Sequence, residues 1–224
     1  MRIGVIGAGQ MAEALGTGWA RAGHEVMIGA RSPEKAADLA ERIGRGARGG
    51  DLREAAEYGD VTLLALPAGA IDELLRKVGD TLSGRPLIDC ANAFAPDAFT
   101  GAPDSFRLDE EALAERVAGL APDAHVVKAF NLCAAEVWES QTKAYEGRTL
   151  AVPLCGDDRR ALTTVAGLVT DLGLHPVPAG GLDRARYLEA MGVFVIGLWF
   201  AGHDARAIFP PLEAAFAVPD DGPS

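Results

Sequence analysis

The sequence predicts an α/β fold, a doubly wound and mostly parallel sheet followed by a small C-terminal helical lobe. Three observations carry that prediction. Short β-branched or aliphatic runs alternate with stretches of helical spacing through the first 180 residues, the pattern of a sheet with helices on both faces. A glycine-rich turn, Gly7-Ala8-Gly9, separates the first run from the first helical stretch. After Gly180-Gly181 the alternation gives way to apolar residues at near-helical spacing.

In chain order, the strand-like runs are Arg2–Ile6, Glu25–Gly29, Val61–Leu66, Pro86–Asp89 and His125–Ala129, with helical patterns over Gln10–Arg21, Pro33–Ile43 and Ala70–Val78 between them. Residues 97–121 read as an irregular, acidic excursion with one helix near Leu108–Val117. Leu150–Leu154 and Leu174–Val177 add two strands around a helix at Arg159–Leu172. From Asp183, a candidate N-cap, to about Ile208 the chain again reads as helix. The expected division is a sheet domain over residues 1–180, a helical lobe over 181–217 on the substrate side, and a flexible tail over 218–224.

Composition narrows the function. The chain has 224 residues, 49% hydrophobic and 24% charged, which suits a globular protein with one sizeable core and an appendage. Net charge is −11, but residues 1–50 hold seven Lys/Arg against five Asp/Glu, and the rest fourteen against twenty-seven. An acidic bulk surface argues against nucleic acid or anionic membrane as partner, because both demand clustered cations, and points to a small-molecule substrate. The apolar run Met191–Ala201 is broken by Gly192 and Gly197 and is shorter than the roughly 20 residues of a membrane span. It is expected as a buried helix, suited to the core of a homodimer. Cys90, Cys133 and Cys155 lack metal-type spacing, no HExxH pattern occurs, and Met1-Arg2 runs straight into the first strand. Buried reduced thiols, no metal and a cytoplasmic setting are therefore expected.

Gly7-Ala8-Gly9-Gln10-Met11-Ala12 matches GxGxx[G/A] between a strand and a helix, the context that marks a Rossmann dinucleotide site. Gly7 permits the tight turn, Gly9 lets backbone approach a diphosphate, and Ala12 allows close helix packing. The second strand ends in Gly29-Ala30-Arg31-Ser32-Pro33-Glu34-Lys35, without the acid that an NAD enzyme places there for the ribose hydroxyls. Arg31, Ser32 and Lys35 suit a 2′-phosphate instead, so NADP(H) is the expected cofactor. Leu66-Pro67 closes a strand at the sheet edge where such folds bind ligands, as a wall for the nicotinamide ribose. Asn92 lies just past the next strand, placed for that ribose or the carboxamide, and Lys128-Ala129-Phe130-Asn131 is expected to line the same cleft, with a solvated strand-end charge as the equal alternative for Lys128. His24, His125 and His175 read as structural, and His203-Asp204 as a surface pair. No Tyr-x-x-x-Lys or Ser-x-x-x-Lys unit offers a proton relay, and no catalytic side chain is assigned.

Together, Gly7–Ala12, Gly29–Lys35, Leu66-Pro67, Lys128–Asn131, Gly156-Asp157-Asp158, Asp171-Leu172-Gly173 and Gly181–Glu189 resemble the NADP oxidoreductase, coenzyme F-420-dependent family over nearly the whole chain. The resemblance implies a Rossmann domain with a helical lobe, and hydride transfer between NADP(H) and the deazaflavin coenzyme F-420 stacked on the nicotinamide. It implies a phosphate loop at Ala8 to Met11, a 2′-phosphate clamp at Arg31 and Lys35, a nicotinamide wall at Leu66-Pro67, and Ala134 nearby. The sequence departs from the family at Ala30, often Ser, and at Leu132-Cys133 on the acceptor side. The oxidoreductase domain of membrane ferric reductases shares the fold. Two alternatives stand beside this reading. One is an NADPH-dependent reductase of an imine, enone, quinone or ferric chelate, with His203 or Cys133 as proton donor, whereas the deazaflavin's phosphate and carboxylates would have Arg184, Arg186 and Arg206 as cleft-side cations. The other is a non-catalytic dinucleotide sensor.

Overall fold

A computed structural model of the chain describes residues 1–99, 102 and 106–210. Eight strands form one sheet: β1 (Arg2–Ile6), β2 (Glu25–Gly29), β3 (Arg48–Gly50), β4 (Val61–Leu64), β5 (Pro86–Asp89), β6 (His125–Lys128), β9 (Ala151–Gly156) and β10 (His175–Pro178). Their order is β10-β9-β6-β5-β4-β1-β2-β3. Every pairing is parallel except β6 with β9, so the expected doubly wound, mostly parallel sheet is what forms. A two-stranded hairpin, β7 (Ala144–Tyr145) and β8 (Arg148–Thr149), stands apart.

The helices are α1 (Gln10–Arg21), α2 (Pro33–Ile43), α3 (Leu52–Tyr58), α4 (Ile71–Val78), α5 (Leu113–Leu120), α6 (Ala135–Glu139), α7 (Arg159–Asp171) and α8 (Ala185–Phe200). The strongly periodic elements through β6 fall within two residues of their expected bounds. Two neighbours escaped the pattern. β3 is Arg-Gly-Gly and reads as loop, yet a Cβ at Gly49 would come within 2.6 Å of the α2 backbone. α3 begins with a capping box, Asp51 and Glu54, whose sequence signature was legible. β10 carries Pro176 and Pro178, which an edge strand tolerates.

Two elements moved from expectation for tertiary reasons. α5 starts at Leu113 rather than near Leu108, because the Glu189 carboxylate accepts the backbone N–H of Leu113 and of Ala114, each at 3.0 Å. That cap comes from 75 residues away. Asp183 lies inside a 3₁₀ turn (Leu182–Arg184), and α8 ends at Phe200 instead of running to Ile208. α8 is only half inside: Leu188, Gly192, Val193 and Gly197 are buried, whereas Tyr187, Phe194, Trp199 and Phe200 are exposed. The expected lobe after residue 210 and the tail lie outside the described residues. No described helix is long and apolar enough to cross a membrane.

Candidate functional site

The β1–α1 turn shows why its two glycines differ. Gly7 has φ +127°, and a Cβ there would fall 2.1 Å from the Ala65 carbonyl oxygen, so the chain itself requires glycine. A Cβ on Gly9 would meet nothing within 4 Å. Nothing in the fold needs glycine there; the free space is a cradle for something else. Gly9 is also the N-cap of α1, and no side chain caps that helix, so its first-turn N–H groups face the cradle unpaired by a cap.

Two cavities flank this turn and share Leu66. The basic cavity, about 410 Å³, is lined by Gly7 and Ala8, by Arg31, Ser32 and Lys35 from the start of α2, and by Glu73 and Lys77 from α4. The Arg31 and Lys35 side chains have no ion-pair or hydrogen-bond partner among the described residues. Ser32 is the N-cap of α2: its hydroxyl accepts the Lys35 backbone N–H at 3.3 Å and donates to Glu34 at 2.7 Å. Sequence proximity shows no acid at the end of β2, yet Glu73 enters this cavity from a different element, bound to Lys77 at 2.6 Å. Glu73 and Lys77 escaped the sequence reading, since nothing along the chain places α4 opposite Arg31.

The aromatic cavity, about 550 Å³, takes Gly9, Gln10 and Met11 from the turn, Leu66-Pro67 after β4, Asn92 after β5, Asn131, Cys133 and Ala134 after β6, and Trp199 and Phe200 from α8. Each expected cofactor residue therefore borders one cavity or the other. Phe94, Phe99, Phe106 and Phe200 form a ring cluster at its rim, with centroids 4.9–6.1 Å apart. The Asn92 Nδ2 donates to the Asn131 carbonyl at 2.7 Å, and the Asn131 Nδ2 donates to Asn92 Oδ1 and to the Leu188 carbonyl, each at 3.0 Å. Strand ends and α8 are thereby tied at the cavity floor.

Asn131 is aimed by an unusual residue before it. Phe130 has φ +63°, a left-handed conformation that costs a bulky residue about 1–2 kcal/mol. Its buried ring is held edge-on by Trp19 (6.0 Å) and Trp138 (5.6 Å), which offsets that cost.

Lys128 contradicts both of its expectations, cleft lining and solvated strand end. It is 0% exposed, paired with Asp89 at 2.9 Å and Glu189 at 2.8 Å, and it donates to the Ala91 carbonyl at 2.6 Å. Burial alone would push its ammonium pKa down, but the two carboxylates outweigh that and raise it. The three arginines expected on the cleft side are engaged elsewhere: Arg184 with the Ala179 carbonyl, Arg186 with Glu115, Arg206 with Asp204 and Glu146. His203 borders a separate hollow beside Val193 and Leu198. Cys133, expected buried, is half-exposed at the aromatic cavity, and desolvation pushes its thiol up to about 11. Among the described residues no group of three His, Cys, Asp or Glu side chains is arranged to hold a metal ion.

Residues 2–93 match the family described as NADP oxidoreductase coenzyme F420-dependent. The F420-dependent NADP reductase of Methanothermobacter marburgensis is 30% identical over 209 residues, 88% of this chain and 92% of that protein. The chain belongs to this F420-dependent NADP oxidoreductase family. It is an NADP-dependent oxidoreductase, which removes the sensor alternative. Metalloreductase STEAP3 of Rattus norvegicus is 29% identical over 199 residues, 88% of this chain but only 38% of that protein's length. A crystal structure of an F420-dependent NADP-reductase-like protein from Arthrobacter sp. FB24 superposes with TM-score 0.76 at 25% identity, covering 90% of this chain and 95% of that one.

Proposed function

We propose that this protein passes hydride between NADPH and a planar deazaflavin coenzyme of the F420 type. The observation that carries the reading is the aromatic cavity: it continues from the Gly9 cradle, its rim is a cluster of phenylalanine rings, and among the described residues Glu136 is the single charged side chain in its lining. Such walls suit a flat ring better than an aliphatic acid.

The cradle at Gly9 and the uncapped start of α1 would hold the diphosphate of NADPH, with Arg31, Ser32 and Lys35 on the 2′-phosphate. Bound there, the nicotinamide supplies the hydride. Leu66-Pro67 would fix its ribose, and the Asn92–Asn131 pair would keep the floor rigid, so that two rings can lie at about 3–3.5 Å. Phe94, Phe99, Trp199 and Phe200 exclude water from one side. The reduction consumes one proton besides the hydride. Desolvation pushes the Cys133 thiol up to about 11, which makes it a poor acid at neutral pH, and solvent at the cavity mouth is the proton source of this reading.

The test is direct. Purified protein, NADPH and oxidised F420 should lose the visible absorbance of the deazaflavin in step with NADPH, and the reverse should run with NADP and reduced F420. Ala134→Trp should cut kcat at least tenfold while changing NADPH affinity less than threefold. If NADPH binds and F420 is not turned over, this acceptor is excluded. One observation favours a second reading: among the described residues no Lys or Arg lines the aromatic cavity to receive the anionic tail of F420. An uncharged quinone or an imine would then be the acceptor, and the same assay with these compounds separates the two. We also propose that the stripe of exposed Tyr187 and Phe194 with half-buried Leu198 on α8 joins two copies; a single-chain mass in sedimentation at micromolar concentration would remove that.

A further inference from the structure

We propose that Lys77 is a third cation of the 2′-phosphate subsite, reaching it from α4 opposite the Arg31–Lys35 turn, and that Glu73 holds it at the cavity when no phosphate is present. The inference rests on NADP(H) occupying the basic cavity. It starts from how α4 divides its residues: Ile71, Leu74, Leu75 and Val78 are buried against the sheet, whereas Glu73 and Lys77, one turn apart, stand on the open side and line the cavity. Their side chains are 64% and 59% exposed. An exposed pair of this spacing is weakly bound, so a phosphate dianion can draw Lys77 away from Glu73.

Charge complementarity supports the same assignment. Arg31, Lys35 and Lys77 bring three positive charges to one cavity and Glu73 brings one negative, leaving a surplus that matches a phosphate of about −1.5 to −2. Without Lys77, the surplus would fall by one and Glu73 would stand bare toward the phosphate. The Glu73 carboxyl is held below its ordinary range by the hydrogen bond from Lys77, and further by the charge of Arg31, so Arg31 already acts across the cavity on this acid. A lysine in the last turn of a helix has a simpler role, pairing with the helix dipole. That role would not distinguish NADPH from NADH.

The experiment is a fluorescence titration of wild type, Lys77→Gln, Lys77→Arg and Glu73→Gln with NADPH, NADH and 2′,5′-ADP. Lys77→Gln should weaken NADPH and 2′,5′-ADP about tenfold and NADH less than twofold. Lys77→Arg should restore most of the loss, and Glu73→Gln should tighten NADPH about threefold. Unchanged NADPH affinity in Lys77→Gln overturns the proposal, as does an equal loss for both nucleotides, which would put Lys77 on the adenosine shared by the two. If the wild type itself fails to prefer NADPH, the phosphate subsite is gone and this proposal with it. That result is distinct from a wild-type preference that survives in Lys77→Gln.

Discussion

The basic cavity takes most of its polar side chains from one turn, Arg31 to Lys35, with a single facing helix. The aromatic cavity draws on the ends of β4, β5 and β6, the start of α6 and the far end of α8, with Gln10 and Trp199 separated by most of the chain. The first is a local device whose turn cations, Arg31 and Lys35, stand open to solvent with no partner among the described residues. The second depends on a floor of bonded asparagines, a buried ion cluster and one left-handed phenylalanine. Damage to the first should therefore alter affinity without touching the fold, whereas damage to the second should lower stability and turnover together.

The largest effect is expected at the support of the aromatic cavity. Lys128→Met leaves Asp89 and Glu189 buried without their shared cation, and breaking such a pair costs about 3–5 kcal/mol. Thermal unfolding should drop by roughly 6–20 °C, and kcat should fall more than NADPH affinity, because Lys128 anchors the Ala91 carbonyl beside Asn92. A variant as stable as wild type would show that the floor is not held by this cluster.

Next comes the turn shared by both cavities. Gly9→Val places its branches in space that no protein atom occupies, so the Tm should stay within about 2 °C while NADPH affinity falls at least about a hundredfold, or roughly 2.7 kcal/mol. Gly7→Ala should behave the opposite way, destabilising first, since its Cβ meets the Ala65 carbonyl. If Gly9→Val binds NADPH normally, the cradle is not the diphosphate site.

In the basic cavity, Arg31→Glu should shift the NADPH-to-NADH affinity ratio by about ten- to a hundredfold toward NADH, from charge reversal beside the phosphate. Calorimetric titration of both nucleotides checks this, and raised salt should shrink the difference. Equal affinities in the wild type would break the comparison at its base.

How much of this was legible along the chain follows the same division. The phosphate turn and the Arg31–Lys35 clamp are contiguous motifs, and the strands and helices bearing them follow strict periodicities. The aromatic cavity was visible only in pieces: the loop Gly9–Met11, the wall Leu66-Pro67, and the isolated Asn92, Asn131, Cys133 and Ala134. Phe94, Phe99, Trp199 and Phe200 read as ordinary apolar residues, because only the chain reversal after β5 and the return of α8 bring them together. Lys128 read as a charge at a strand end, since its two carboxylate partners lie 39 and 61 residues away in opposite directions. Lys77 was hidden likewise: its helix and the Arg31–Lys35 turn were both legible, but their placement opposite one another was not.

The smallest effect is expected at Cys133, the one thiol bordering the aromatic cavity that is not fully buried. Desolvation pushes its pKa up to about 11, so at pH 8 its thiolate fraction is on the order of a hundredfold below that of a free cysteine. Alkylation by iodoacetamide should be correspondingly slow, should accelerate about tenfold per pH unit up to that value, and should slow further when NADPH fills the groove. Cys133→Ala should keep kcat within about threefold and leave the pH profile between 6 and 9 unchanged, because a group that stays protonated over that range contributes no ionisation to it. A lost or shifted limb in that profile would make Cys133 a proton donor after all. The aromatic cavity would then perform acid catalysis, and an acceptor needing a protein-held proton, such as an imine, would displace the deazaflavin.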